Sequence, residues 1–334
     1  MTNAIDIQRV RKTFGSKVAV DTLDLAVAQG SLCGFIGPNG AGKTTTIRMI
    51  MSIIFPDQGR ISVLGKPSAL ESKDRIGYLP EERGVYRKMK VLAFLTYMAR
   101  LKGVDAGAAE RKADEWLTRM ALGDVRKKKC EELSKGMQQK AQFIAAVIHE
   151  PELLILDEVF SGLDPVNRRL MRDLIEEQHG LGRTIIFSTH AMYEAEQLCD
   201  QIFMIHQGQK VLDGRLSDIL AQHDPHALLV EPMSSGAEAI VARLPGIEHV
   251  VDPNQKVARG NGHPAALDVM LDGTIDESEA MAAIVRAVPV RRIERKRASL
   301  EDIFIGIVAR SGGQVDADLL RASLSGSALG GGES

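Results

Sequence analysis

Residues Gly37-Pro38-Asn39-Gly40-Ala41-Gly42-Lys43-Thr44 match the spacing G-x-x-x-x-G-K-[ST], and nothing else in the chain narrows the fold so far. The segment stands between a continuous apolar run, Leu32-Cys33-Gly34-Phe35-Ile36, and a stretch that reads as helix from Thr45 to Ile53. A strand buried on both faces that enters a glycine-rich turn and leaves as a helix belongs to a parallel α/β sheet. The glycines let backbone N–H groups curl around anionic phosphates, and the helix directs its positive end at them. Lys43 can reach the β- and γ-phosphates, and the Thr44 hydroxyl can hold Mg²⁺. A chance turn containing a lysine would not carry this strand and helix on its two sides.

Two later runs, Leu153-Leu154-Ile155-Leu156 and Thr184-Ile185-Ile186-Phe187, have the same buried character. Between them Asp164 can cap a helix, Pro165 suits its first turn and Gly180 marks its end. Strand, helix, strand is the unit of a parallel sheet, whose C-terminal strand ends face the ligand. Asp157 and Glu158 close the first run and are expected beside the phosphates. Asp157 offers the oxygen ligands that Mg²⁺ prefers, and Glu158 is placed to accept a proton from attacking water. Read alone, the two carboxylates could be an acidic N-cap pair, but the phosphate loop weighs against that. His190, in Ser188-Thr189-His190, follows the second run and falls at the same edge, a placement the other seven histidines lack.

The surrounding chain supplies the rest of an architecture. Ile5, Ile7 and Val10, then Val18, Val20, Leu23, Leu25 and Val27, are spaced as one-sided strands of an antiparallel β subdomain. Val91, Phe94, Leu95, Met98 and Leu101 fall on one helical face, and a second run covers Ala141 to Ile148, giving a helical insert over about residues 88–150. A hairpin from Ile202 to Leu212, turning at Gly208, closes a first domain spanning residues 1–217. After Asp224-Pro225 the order β-α-β-β-α-β predicts a small ferredoxin-like α+β domain over residues 225–310, with a last helix from Leu300 to Val308. Residues 311–334, rich in Gly, Ser and Ala, read as a disordered tail.

The 334 residues suffice for two such domains, and 42 Lys plus Arg against 44 Asp plus Glu leave a net charge of −2. That balance gives no broad attraction to nucleic acid or anionic lipid. The basic runs Arg126-Lys127-Lys128-Lys129, Arg291-Arg292 and Arg295-Lys296-Arg297 read as solvated faces, with few aromatics between them. Cys33, Cys130 and Cys199 are odd in number and lack zinc or disulfide spacing, so buried thiols in a reducing cytosol are expected. No leader pattern and no apolar stretch of about 18 residues is visible, so a chain neither secreted nor membrane-spanning is expected.

Taken together the motifs resemble the ATP-binding subunits of ABC transporters, over about residues 3–217. Leu133-Ser134-Lys135-Gly136-Met137-Gln138-Gln139-Lys140 is similar to the family's signature segment, Leu153 to Glu158 to its Walker B strand, and Ser161-Gly162-Leu163-Asp164 to its D-loop. His190 resembles the switch histidine, and Phe14, in Lys12-Thr13-Phe14-Gly15, sits where the family places an aromatic ring against adenine. The resemblance implies an Mg²⁺-dependent ATPase with two copies dimerised head to tail around two ATP molecules. Ser134 and the Gly136 backbone would bind the γ-phosphate held by the partner's Lys43, and Asp164 would contact across the dimer. It also implies a location on the inner face of the cell membrane, held there by separate membrane-spanning subunits.

Two departures stand out. Where the family commonly has Gln, Ile76-Gly77-Tyr78-Leu79-Pro80-Glu81-Glu82 places Glu81, a further carboxylate on the Mg²⁺ side. The signature carries Lys135 for Gly and Met137 for Gln. Glu at this loop position resembles an exporter branch that includes Nat-type sodium-efflux ATPases, as does the segment Ser299-Leu300-Glu301-Asp302-Ile303-Phe304. A rival reading, a soluble ABC-type ATPase acting on nucleic acid or ribosomes, calls for paired cassettes, coiled coils or a strongly basic surface. A phosphoryl-transferring P-loop kinase would have no need of Ser134.

Overall fold

The computed structural model describes residues 2–82, 84–251 and 266–312, so the tail expected over 311–334 falls almost wholly outside the described residues. The described chain divides into residues 2–216 with 307–312, and residues 217–306. In the first unit, β1 (Asn3–Phe14) and β2 (Lys17–Ala28) form a hairpin, and β3 (Leu32–Ile36) leads through residues 37–42 into α1 (Lys43–Ile50). Next come β4 (Gln58–Val63), β5 (Ile76–Leu79) and the insert helices α2 (Val91–Leu101), α3 (Ala106–Arg119) and α4 (Lys135–Val147). Then β6 (Leu153–Asp157), α5 (Pro165–Gly180), β7 (Thr184–Thr189), α6 (Met192–Leu198), β8 (Gln201–His206) and β9 (Gln209–Arg215) follow, with α7 (Leu216–Gln222) after them.

Six strands lie in the order β5-β6-β7-β3-β8-β9, parallel from β5 to β8, with β9 antiparallel at the edge. The strands of β3, β6 and β7 are buried at every position, which is why they read as unbroken apolar runs rather than alternating ones. A second, antiparallel sheet has the order β2-β1-β4. One core joins the two sheets: Ile5, Ile7, Val20 and Leu23 from the antiparallel sheet cluster with Phe35, Ile47, Ile155 and Phe203. The Phe35 and Phe203 rings lie 5.2 Å apart.

Several sequence expectations shift. Helix α1 begins at Lys43, two residues before the expected Thr45, and ends at Ile50 rather than Ile53, because Ser52 already has φ of 56°. Strand β4 was not expected: its burial is confined to its last half, so it shows no alternation to read. Helix α5 starts as predicted, with the Asp164 carboxylate accepting from the Asn167 N–H at 2.9 Å and Pro165 in its first turn. All three cysteines are free and buried, and burial pushes the Cys33 thiol up to about 12.

The second unit holds β10 (Ala227–Pro232), α8 (Ala237–Val241), β11 (Ile247–Val251), β12 (Leu267–Leu271), α9 (Glu277–Ala287), β13 (Val290–Lys296) and the start of α10 (Leu300–Gly312). Its sheet order is β11-β12-β10-β13 with every neighbour antiparallel, the split β-α-β arrangement of a ferredoxin-like domain. Leu228, Val230, Val269 and Ile284 form its core. Helix α10 continues past the expected Val308. The basic run of β13 is largely neutralised: Arg292 pairs with Glu294 at 2.7 Å, Lys296 with Asp268 at 2.5 Å, and Arg295 with Asp224 and Glu277.

Candidate functional site

The phosphate-loop backbone is shaped by contacts that exclude a side chain. Gly37 has φ of 154°, and a Cβ there would come within 2.2 Å of the Ile205 carbonyl oxygen; Gly42 has φ of 111° and faces the Ala19 carbonyl at 2.7 Å. Gly42 is also the N-cap of α1 and places no side chain over its first turn, which leaves backbone donors there for an anion. The loop borders a cleft of about 390 Å³ whose walls include Phe14, Lys17, Ala19, Asn39, Gly40, Lys43, Thr44, Thr45, Glu81 and Glu158. Pro38 and Ala41 belong to the same loop, with the Ala41 N–H donating to the Pro38 carbonyl. Phe14 is 52% exposed, and pairs with Lys17 across the hairpin turn, which brings both to the cleft. A second hollow of about 360 Å³, lined by Gln8, Ser52, Phe55 and Arg60 among others, contains neither loop residue nor strand-end carboxylate.

Lys43 is 6% exposed and donates to the carbonyls of Gly37 at 2.7 Å and Pro38 at 3.2 Å. Burial lowers its pKa, and Glu158, Asp157 and Glu81 oppose that shift. Asp157 ends β6 and is fully buried, and burial raises its carboxyl to about 6, offset in part by the Ser188 hydroxyl. Among the described residues neither Asp157 oxygen has a partner of hydrogen-bonding geometry, and the same is true of Ser188 Oγ. Two orphaned acceptors on one buried carboxylate are costly unless a cation or donor completes the site, so the residues present fit a bound Mg²⁺.

Glu158 has φ of 51°, and this left-handed step turns its side chain toward the end of β7. There its Oε1 accepts from the His190 backbone N–H at 3.0 Å and meets His190 Nδ1 at 2.8 Å. The hydrogen bond to Glu158 raises the His190 pKa. Strand register explains the meeting: Asp157 is opposite Ser188, and the Glu158 N–H donates to the Ser188 carbonyl. Because Leu79 of β5 is opposite Leu156, Glu81 emerges at this same edge two residues later.

The comparisons with known proteins point one way. A family described as ABC transporter matches residues 20–161. The ABC transporter ATP-binding protein YhaQ of Bacillus subtilis is 48% identical over 215 residues, 64% of this chain and 72% of that protein. The chain belongs to the ATP-binding subunits of ABC transporters. Nod factor export ATP-binding protein I of Burkholderia orbicola is 32% identical over 309 residues, 92% of this chain and 97% of its own length. A solved structure of the ATP binding subunit of an ABC transporter matches with a TM-score of 0.61 and 29% identity, covering 66% of this chain and 93% of that one. This chain is thus a nucleotide-binding ATPase subunit whose hydrolysis is coupled to transport through membrane partner subunits. The nucleic-acid and ribosome reading is not favoured.

The ABC subunit keeps a second group of predicted residues apart from those lining the cleft. Ser134 is the exposed N-cap of α4, its hydroxyl accepting from the Met137 N–H at 3.3 Å. Gly136 sits in the first turn of α4, where a Cβ would contact Leu163 at 3.5 Å and the Gly162 carbonyl at 3.7 Å. Asp164 is exposed at the start of α5, so the signature and the 161–164 turn share one surface. Lys17 and Ala19 were missed as cleft residues, and only the β1–β2 register could have supplied them. Gln139 and Gln142 were missed as well. They donate to the Val159 carbonyl at 3.1 Å and the Glu82 carbonyl at 3.4 Å, tying α4 to the segments that carry Glu158 and Glu81.

Proposed function

We propose that this subunit hydrolyses Mg-ATP in a head-to-tail pair with a second copy, and that hydrolysis drives export by separate membrane-spanning chains. The observation that carries the chemistry is the Glu158 carboxylate held by two donors of His190 at the mouth of the phosphate loop. A general base must be held in one orientation near the water it activates, and this pair does so without occupying both carboxylate oxygens. Lys43 and the first N–H groups of α1 bind the β- and γ-phosphates, and Phe14 stacks on the adenine. Thr44 and Asp157 hold Mg²⁺, which supplies positive charge to the phosphate oxygens, and Glu81 borders the same position. His190 orients Glu158 and carries positive charge toward the γ-phosphate.

Ser134, Gly136 and Asp164 act in trans. Their shared, exposed surface lies outside the cleft, as residues that complete a second copy's site require. Residues 1–217 form the ATP-binding part and 225–310 an accessory part. Among the described residues no helix is long and apolar enough to cross a membrane. The membrane-spanning partners hold the subunit peripherally at the inner membrane face. The export direction is supported by the Nod factor export relative, whose similarity extends over 92% of the chain.

Trapping tests this reading. Glu158→Gln keeps the hydrogen-bonding shape and removes the base. Its kcat should fall about a hundredfold or more, with Mg-ATP affinity retained and a dimer accumulating by light scattering. Turnover within a few fold of the parent would remove Glu158 from the base role.

A further inference from the structure

Outside the groups assigned above, a partly buried carboxylate touches the strand end that carries His190. Glu194, on α6, has a side chain only 13% exposed. Its Oε2 accepts from the Thr189 hydroxyl at 3.3 Å, and the same hydroxyl accepts from the Ala191 N–H at 3.0 Å. Thr189 and Ala191 flank His190, so Glu194 fixes the bend on which His190 stands. The other carboxylate oxygen, Oε1, faces Arg168 Nη1 at 3.5 Å. Arg168 belongs to α5, and its Nε donates to the Leu163 carbonyl at 3.2 Å. One guanidinium therefore grips both the 161–164 turn and the carboxylate that braces the histidine bend.

We propose that Arg168 and Glu194 are positioning residues that make the placement of His190, and through it Glu158, depend on the position of the 161–164 turn. The inference rests on the reading of Glu158 as the base and of that turn as facing a second copy. Residues 161, 162 and 164 of the turn are exposed, so on that reading a second copy would bear on it. Arg168 then conveys its position along a continuous series of contacts: Leu163 carbonyl, Arg168, Glu194, Thr189, His190, Glu158. The planar fork of arginine suits it to hold two acceptors at fixed angles, which a lysine cannot do. Burial raises the Glu194 pKa, and the Arg168 charge is the largest influence opposing that shift. The plain alternative is an ion pair that merely staples α5 to α6, and half-exposed pairs of that kind contribute little.

A double-mutant cycle on the full chain separates the two. Arg168→Gln, which removes the charge and the guanidinium fork, and Glu194→Gln, which keeps side-chain length and removes only the charge, are measured singly and together for steady-state ATPase rate and for Mg-ATP dissociation constant. Each single change should lower kcat about tenfold while leaving the dissociation constant within about twofold, and the double change should be no slower than either single one. Losses that multiply to about a hundredfold would show two independent residues and overturn the coupling. So would singles that leave kcat unchanged, or singles that weaken ATP binding in step with kcat. Glu158→Gln run alongside keeps the two failures distinguishable: normal turnover in that variant defeats the base assignment, whereas a multiplicative cycle beside a dead Glu158→Gln defeats only the coupling.

Discussion

The two units of the chain handle buried and charged groups in opposite ways. At the strand ends of the first, Asp157 keeps two buried oxygens that find no hydrogen-bond partner among the described residues, Lys43 is buried against loop carbonyls, and Glu158 occupies a left-handed backbone conformation. In the second, the cations of β13 meet carboxylates within the same unit: Arg292 with Glu294, Arg295 with Asp224 and Glu277, Lys296 with Asp268. A site built to receive a charged ligand is left incomplete by its own chain, whereas the β13 cations of the second unit are answered by carboxylates of that unit. The contrast can be broken by experiment.

The largest effect is expected where the first unit is most incomplete. Lys43→Ala removes the only cation among the described residues lining the cleft with a side chain buried beside the phosphate loop. Losing a charge-assisted contact to phosphate costs about 2.7 kcal/mol, or about a hundredfold in affinity. Calorimetric titration with Mg-ATP reads this directly, and an unchanged dissociation constant would mean that the cleft does not receive phosphates through Lys43.

How far the sequence exposed this contrast depends on whether the signal is local. The loop from Gly37 to Thr44 could be read because strand, glycines, lysine and helix are contiguous, and Asp157, Glu158 and His190 because each ends or follows a buried apolar run. The contact between Glu158 and His190 could not be read, since it needs both the β6–β7 register and a positive φ at Glu158. Glu81 was expected there through the family resemblance, not from periodicity, because β5 has only four residues. Arg168 and Glu194 were invisible because they lie 26 positions apart and meet only in the folded chain. In the second unit the order of elements was legible, yet the carboxylates that answer Arg292, Arg295 and Lys296 come mostly from other elements and appear only once the sheet is assembled.

A smaller effect tests whether burial alone, away from the cleft, produces the same strain. His149 follows α4, its Nε2 3.2 Å from the Ile76 carbonyl, and burial, with help from Lys102 and Arg183, pushes its pKa down to about 4. Above about pH 6.5 the imidazole is neutral in both folded and unfolded chains. As pH falls from 6.5 toward 4 only the unfolded chain takes up the proton, so stability is lost over that window, by about 2 kcal/mol after allowing for partial solvent screening. Thermal melts of the parent and His149→Gln across pH 4.5 to 8 should therefore converge as the pH drops. A parallel offset at every pH would show that His149 is not held neutral by the fold.

The smallest effect belongs to the second unit and is the most direct challenge to the comparison. Arg292 lies on β13 with Glu294 at 2.7 Å and Glu231 at 4.0 Å, and the Glu294 hydrogen bond raises its pKa. It is nevertheless more than half exposed, so water and salt screen the pair and little net stability depends on it. Arg292→Gln should leave the melting temperature within about 1 °C and leave both the ATPase rate and Mg-ATP affinity of the full chain unchanged. If the rate falls while the melting temperature holds, Arg292 acts on the ATPase cycle, and the charged sheet of the second unit has a working role that internal neutralisation does not describe.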